Sequence, residues 1–207
     1  TRVSAPMRWA DLLGNASMIW AFFMLPMSVT ALTALMAYTE HGPKSWDHLR
    51  ALPIPRWRIY TAKAVCTAGV VAAMSIGVLL AGLASGWLIA VVRSGMAPTG
   101  PLELGLHAQR LALKRASSLL MIAVQLWVAL RFSSFLPGLV LGIAGTFFAV
   151  VATGAKEGVF MPWQMPVNAV ASGPEAWRVS VVLALGGIGG LVVLLLMLAH
   201  LSRREVL

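Results

Sequence analysis

Acidic side chains are scarce in this chain. Seven Asp and Glu stand against 16 Lys and Arg in 207 residues, a formal charge of +9, and charged residues of either sign make up only 11%. Soluble domains usually carry about 25% charge, so the deficit argues against one. Cysteine is rarer still. Cys66 stands alone, which excludes an internal disulfide, and its apolar surroundings from Ala64 to Val92 predict a plain packing role. A phosphate-binding loop is also missing: in Gly42-Pro43-Lys44-Ser45 a proline takes the place of the second glycine, and the upstream glycine is absent. His41, His48, His107 and His200 are too scattered for an obvious metal site. The expectation is a chain that is no enzyme and holds no cofactor or metal of its own.

What is abundant is apolar surface. The chain is 59% hydrophobic and its mean hydropathy is +0.83. Crossing a hydrocarbon layer of ~30 Å takes roughly 20 apolar residues, and five runs come close to or exceed that length: 18–38, 64–92, 111–130, 135–153 and 179–200. These predict an all-α polytopic transmembrane bundle with one membrane domain over 1–207. In such a protein the excess of Lys and Arg points to anionic lipid headgroups rather than nucleic acid.

Details of the spans follow from residue type. Trp20 and Tyr38 are placed at the two headgroup layers, and Pro26 should kink the first span. Lys114 and Arg115, near the start of the third, should extend toward the interface. The stretch Met161 to Pro166 reads as a segment lying at the interface or capping one end of the bundle. Gln125, at membrane depth, either lines a path or bonds across helices, the commoner role. Gly82/Gly86, Gly138/Gly142 and Gly186/Gly190 permit close helix approach, and Gly187 and Gly189 make the last span the best candidate for a tight contact. The sequon at Asn15-Ala16-Ser17 is short enough to arise by chance.

The densest charge lies between the first two spans, from Thr39 to Lys63. Ser45 suits the cap of a short helix from Trp46 to Leu52, with Asp47 in its first turn. Pro53 and Pro55 stop that helix and allow another to begin. Trp46, Leu49 and Leu52 present apolar anchors, with Asp47, His48 and Arg50 as a polar rim; aromatic anchors and Arg are what protein interfaces favour. The competing reading is an amphipathic helix resting on lipid. Glu40 can brace the turn by pairing with Arg50, Arg56 or Lys63.

The run Glu40, Lys44-Ser45-Trp46-Asp47-His48-Leu49, Leu52-Pro53-Ile54-Pro55-Arg56, then Lys63 opening the next helix, resembles the membrane permeases of bacterial ATP-binding-cassette exporters, the group including bacitracin- and lantibiotic-resistance permeases. The closing Arg203-Arg204-Glu205 after a long apolar helix is a second match. The resemblance implies that Trp46 to Leu52 is the coupling helix, seated in a groove of a cytoplasmic ATPase subunit that holds ATP and Mg. It implies a second permease subunit, identical or related, a place in the bacterial cytoplasmic membrane, and export of a peptide antibiotic or an amphipathic, lipid-like molecule. Members usually have six spans, so one is expected before Thr1. Two other classes compete. An ion-coupled carrier would need an ionisable relay within the bilayer, and no Asp or Glu lies in the five runs; a non-transporting assembly subunit needs no path at all. Counting cations does not orient the chain, since eight fall on each side.

Overall fold

In the computed structural model, residues 7–41, 54–132, 134–171 and 175–203 are described. Among them the chain is all α-helical, with no strand and with helices long and apolar enough for four crossings, or five if one bent pair counts as a crossing. The first helical rod combines α1 (Trp9–Ile19), a π-helical turn at Trp20–Met24, and α2 (Leu25–His41). α3 (Arg56–Val92) follows, then α4 (Leu104–Ser117), α5 (Leu119–Arg131) and α6 (Leu136–Val151). The short α7 (Met165–Asn168) precedes α8 (Trp177–Val182), a π-helical stretch Leu183–Gly189, and α9 (Gly190–Arg203).

The outside of the bundle is as informative as its inside. Val65, Leu80, Trp87 and Leu88 on α3, Phe147 and Phe148 on α6, and Ile188 and Leu195 on the last helix are each more than half exposed. Surfaces of this size and polarity require lipid or another apolar partner. α3 has 37 residues, ~55 Å at 1.5 Å per residue, so it tilts or projects beyond the hydrocarbon layer.

Packing departs from a simple set of spans in three places. The first helix starts at Trp9 rather than near Met18, because its early turns lie on the small-residue face of α3: a Cβ at Gly82 would meet Leu13 and one at Gly86 would overlap the Trp9 ring. Trp20 is buried instead of marking a headgroup layer; it joins Leu25, Val29, Met121 and Trp163 in the central core. The π-helical turn directly precedes Pro26, where the missing N–H and the ring's clash with the preceding turn make a regular ladder impossible. That local widening accommodates the proline.

The third departure is a break. α4 and α5 meet at Ser118 with a bend of 40°. Ser117 Oγ donates to Lys114 O at 2.9 Å and Ser118 Oγ to Arg115 O at 2.7 Å. Hydroxyls that bond back into the preceding turn bend helices, and here two do so in succession. The break is wedged against the glycine face of the last helix: a Cβ at Gly186 would overlap the Ser117 backbone and one at Gly190 the backbone of Leu119 and Leu120. The glycine pairs expected to permit close approach thus serve contacts within this chain.

Met161 to Pro166 inserts into the bundle rather than lying along a surface. Trp163 is buried with its ring over Gly145, and Gln164 Nε2 donates to Ala149 O at 2.6 Å and Thr153 Oγ1 at 2.9 Å. The carboxamide gives a further donor to the Ala149 carbonyl, which also accepts the Thr153 hydroxyl at 3.0 Å, and so ties the buried loop to the end of α6. Cys66 is exposed on the flank of α3, so it fills no space inside this chain.

Candidate functional site

Two ends of the bundle can be told apart. One gathers the C-termini of α2, α5 and α9 with the start of α3, held by a cluster of Tyr60, Ala64, Leu126, Leu130, Met197 and Leu201; the helical anchors of the Thr39 to Lys63 connection, the close of α2 and the opening of α3, are at this end. The opposite end gathers the starts of α1 and α4 with the close of α3, and is tied by Trp9 N–H to Thr99 O at 3.1 Å and Thr99 N–H to Met7 O at 2.8 Å. Trp57 and Trp87, both exposed, mark the two ends of α3. Thirty residues of helix separate them, ~45 Å, the thickness of a bilayer with its headgroup layers.

Between these ends lies a layer of polar side chains. Lys114 is 1% exposed, and its Nζ donates to Ser17 Oγ at 2.9 Å; that hydroxyl in turn donates to Gly14 O at 2.9 Å. His107, also buried, lines a small gap with Leu13, Ser17 and Leu111 one to two turns away. Arg115 turns the other way and is exposed on the flank, with Nη2 3.4 Å from Ala68 O of α3. Ala68 is roughly 16 Å along the helix from Trp57, well inside the depth hydrocarbon would occupy. Among the described residues no carboxylate pairs with Lys114 or Arg115.

The apolar run 111–130 puts these two cations near the start of a span, with their charges extending toward the interface. The structure corrects this. Helix begins ten residues before Lys114, at Leu104, and the cations occupy the last turn of α4, where the negative end of the helix dipole favours them. An ionisable group at membrane depth is a functional candidate by default.

Other polar groups are spent on packing. Gln125 Nε2 donates to Gly138 O of α6 at 2.5 Å, the cross-helix role. Thr30 Oγ1 donates to Pro26 O at 2.8 Å and Thr146 Oγ1 to Gly142 O at 2.7 Å, with Thr30 filling the space a Cβ at Gly142 would need.

Of the residues assigned to coupling, Trp46, Asp47, His48, Leu49, Arg50 and Leu52 lie outside the described residues, as does Pro53. Glu40 is in the last turn of α2, but its side chain is outside the description too. Pro55 caps α3, its carbonyl accepting Arg58 N–H at 2.9 Å. Helix opens at Arg56 and not at Lys63, because proline's fixed φ suits the residue before a first turn. Lys63 is therefore two turns into α3, with Nζ 5.5 Å from the Tyr60 ring centroid.

Comparison with known proteins agrees with this architecture. The model of a family described as ABC-2 family transporter protein matches residues 3–149, from before α1 to within α6. No curated protein and no solved structure matches the chain.

Proposed function

The chain belongs to the ABC-2 family of transporter proteins, and on that premise we propose that it is the permease half of an ATP-binding-cassette exporter in a bacterial cytoplasmic membrane, moved by a separate ATPase subunit that carries ATP and Mg. A second permease, identical or related, completes the pair. The cargo is a peptide antibiotic or another amphipathic, lipid-like molecule, in keeping with the resemblance of the Glu40 to Lys63 run to the permeases of antibiotic resistance.

The observation that carries this reading is how the Thr39 to Lys63 connection is mounted. α2 runs as helix up to it and α3 starts directly after it at Arg56. α2 packs along α5 and α6, and α3 along α1, α5 and α9. A push on the connection therefore reaches most of the bundle through stiff rods. Trp46, Leu49 and Leu52 are the anchors in the ATPase groove, with Asp47, His48 and Arg50 around them, and Glu40, Pro53, Pro55, Arg56 and Lys63 hold the turn. The test is copurification. Trp46→Ala together with Leu49→Ala should release the ATPase while the permease still inserts and folds, because large anchors dominate interface energy. Undiminished ATPase recovery would overturn the coupling assignment. Transport that continues without the ATPase and collapses with the proton gradient would replace it with an ion-coupled carrier, for which Lys114 is the ionisable group at depth.

A further inference from the structure

We propose that the cleft between α5 and α9, at the end of the bundle that bears the Thr39 to Lys63 connection, is a binding site for one anionic phospholipid, with Arg203 and His200 receiving the headgroup phosphate. The two helices run parallel: Gly190 meets Leu119 and Leu120 at one end of the contact, and Met197 and Leu201 pack with Leu126 and Leu130 further on. Beside this packed seam the helices leave a cleft of about 430 Å³ lined by Trp127, Leu196, Ala199, His200 and Arg203, within the usual range of ligand sites of about 300–1,000 Å³.

Its chemistry is divided along its length. At the mouth, His200 and Arg203 are exposed at the end of α9. Arg131 of α5 does not line the cleft; its guanidinium lies 5.7 Å from the Phe132 ring. Among the described residues no carboxylate lines the cleft. A guanidinium offers paired donors matched to phosphate oxygens. The imidazole packs against the Trp127 indole with centroids 5.6 Å apart, which fixes an aromatic wall next to the cations.

Toward the membrane interior the polar groups stop. Leu191, Val192, Leu195 and Leu196 continue from the cleft along the outside of α9, each at least half exposed. A soluble anion would use only the mouth, whereas a phospholipid uses both parts: phosphate at Arg203 and His200, an acyl chain along the leucines. The level is also right, because Trp57 and Tyr38 lie exposed at the same end of the bundle, as amphipathic rings do in a headgroup layer.

Native mass spectrometry of the purified full chain tests this, with phosphatidylglycerol, phosphatidylcholine and soluble glycerol 3-phosphate as probes. The wild type should retain a single phosphatidylglycerol in preference to phosphatidylcholine by at least about fivefold, the effect of one surface cation on an anionic lipid. Glycerol 3-phosphate at the same concentration should not displace it. Arg203→Gln with His200→Gln should abolish the preference and Arg203→Lys should keep most of it, while Arg93→Gln at the opposite end should change nothing. Equal retention of the two lipids, displacement by glycerol 3-phosphate, or a preference that survives the double substitution would overturn the proposal. Thermal midpoints of the variants, expected to match the wild type because both side chains are exposed at a helix end, separate loss of the site from loss of the fold.

Discussion

The two halves of the bent crossing are built on opposite principles. α4 carries His107, Arg110, Lys114 and Arg115 within 14 residues, whereas α5 holds only Gln125 and, at its very end, Arg131 among larger polar or charged groups. The surface of α5 suits lipid, although its 13 residues span only part of the hydrocarbon layer, while α4 needs a protein partner on at least one side. It has one: Lys114 and His107 are buried, and Leu13 and Ser17 of α1 line the same small gap as His107. The 40° bend at Ser118 lets the polar half turn its cations toward α1 and α3 while the apolar half stays in register with α9. A straight helix would have to present a single face throughout. The break is what allows charge to be held at membrane depth.

The largest effect should come from closing the contact that holds the two halves at their angle. Gly190→Val places branched carbons against the backbone of Leu119 and Leu120, which no rotamer change can clear. Overpacking typically costs about 1–3 kcal/mol and sometimes more, and backbone in the way puts this case at the upper end. The recovery of monodisperse protein in detergent should fall sharply. Gly187→Ala, on the same helix, should be tolerated to within about 1 kcal/mol, since its nearest neighbour is Ala116 O at 3.7 Å and alanine favours helix. Equal behaviour of the two variants would mean that α9 does not set the bend.

A smaller effect should follow from the stored charge. Ser17→Ala removes the acceptor at 2.9 Å from Lys114 Nζ, and stranding a buried donor costs about 1–3 kcal/mol. Lys114→Met keeps the length of the side chain and discards its charge, so it should be neutral or stabilising, as replacement of buried ionic groups by apolar ones often is. The double variant should then resemble Lys114→Met alone. Thermal midpoints of the four proteins form the cycle, and strict additivity would show that Ser17 and Lys114 are not coupled. A fall in ATPase-linked transport in Lys114→Met, without loss of stability, would mark the cation as functional rather than structural.

The sequence made the apolar helices legible because lipid imposes a composition that few other environments tolerate. Their ends were less legible. The first span reads from Met18, yet helix begins at Trp9 because α3 offers Gly82 and Gly86 as a surface on which Trp9 and Leu13 can lie. The bend escaped notice since Ser117 and Ser118 are unremarkable by propensity and act only through hydrogen bonds to Lys114 O and Arg115 O. Met161 to Pro166 reads as a segment at the interface or a cap on one end of the bundle, and the burial of Trp163 over Gly145, with Gln164 bonded to the end of α6, shows only in the contacts. In each case the missing information was a contact between segments distant in sequence. The site assigned from the Glu40 to Lys63 run rests on its residue pattern alone, and of its side chains Pro55, Arg56 and Lys63, in the first turns of α3, are among the described residues.

The smallest effect belongs to the apolar half, and it sharpens the contrast. Gln125 is fully buried, with Nε2 bonded to Gly138 O at 2.5 Å and, among the described residues, no partner for Oε1. Gln125→Leu gives up one neutral hydrogen bond and also removes an unsatisfied acceptor. These changes oppose each other, and the Gly138 carbonyl retains its place in the α6 ladder, so the net change should be below about 1 kcal/mol. Gln125→Glu keeps the shape but must either bury a carboxylate facing a carbonyl or take up a proton to regain the donor, and should be clearly worse, by more than about 1 kcal/mol. Thermal unfolding in detergent ranks the two directly. If Gln125→Leu proved as damaging as Gly190→Val, α5 would depend on its one internal polar group as strongly as on its packing. The division between a half held by polar contacts and a half held by shape would then be lost.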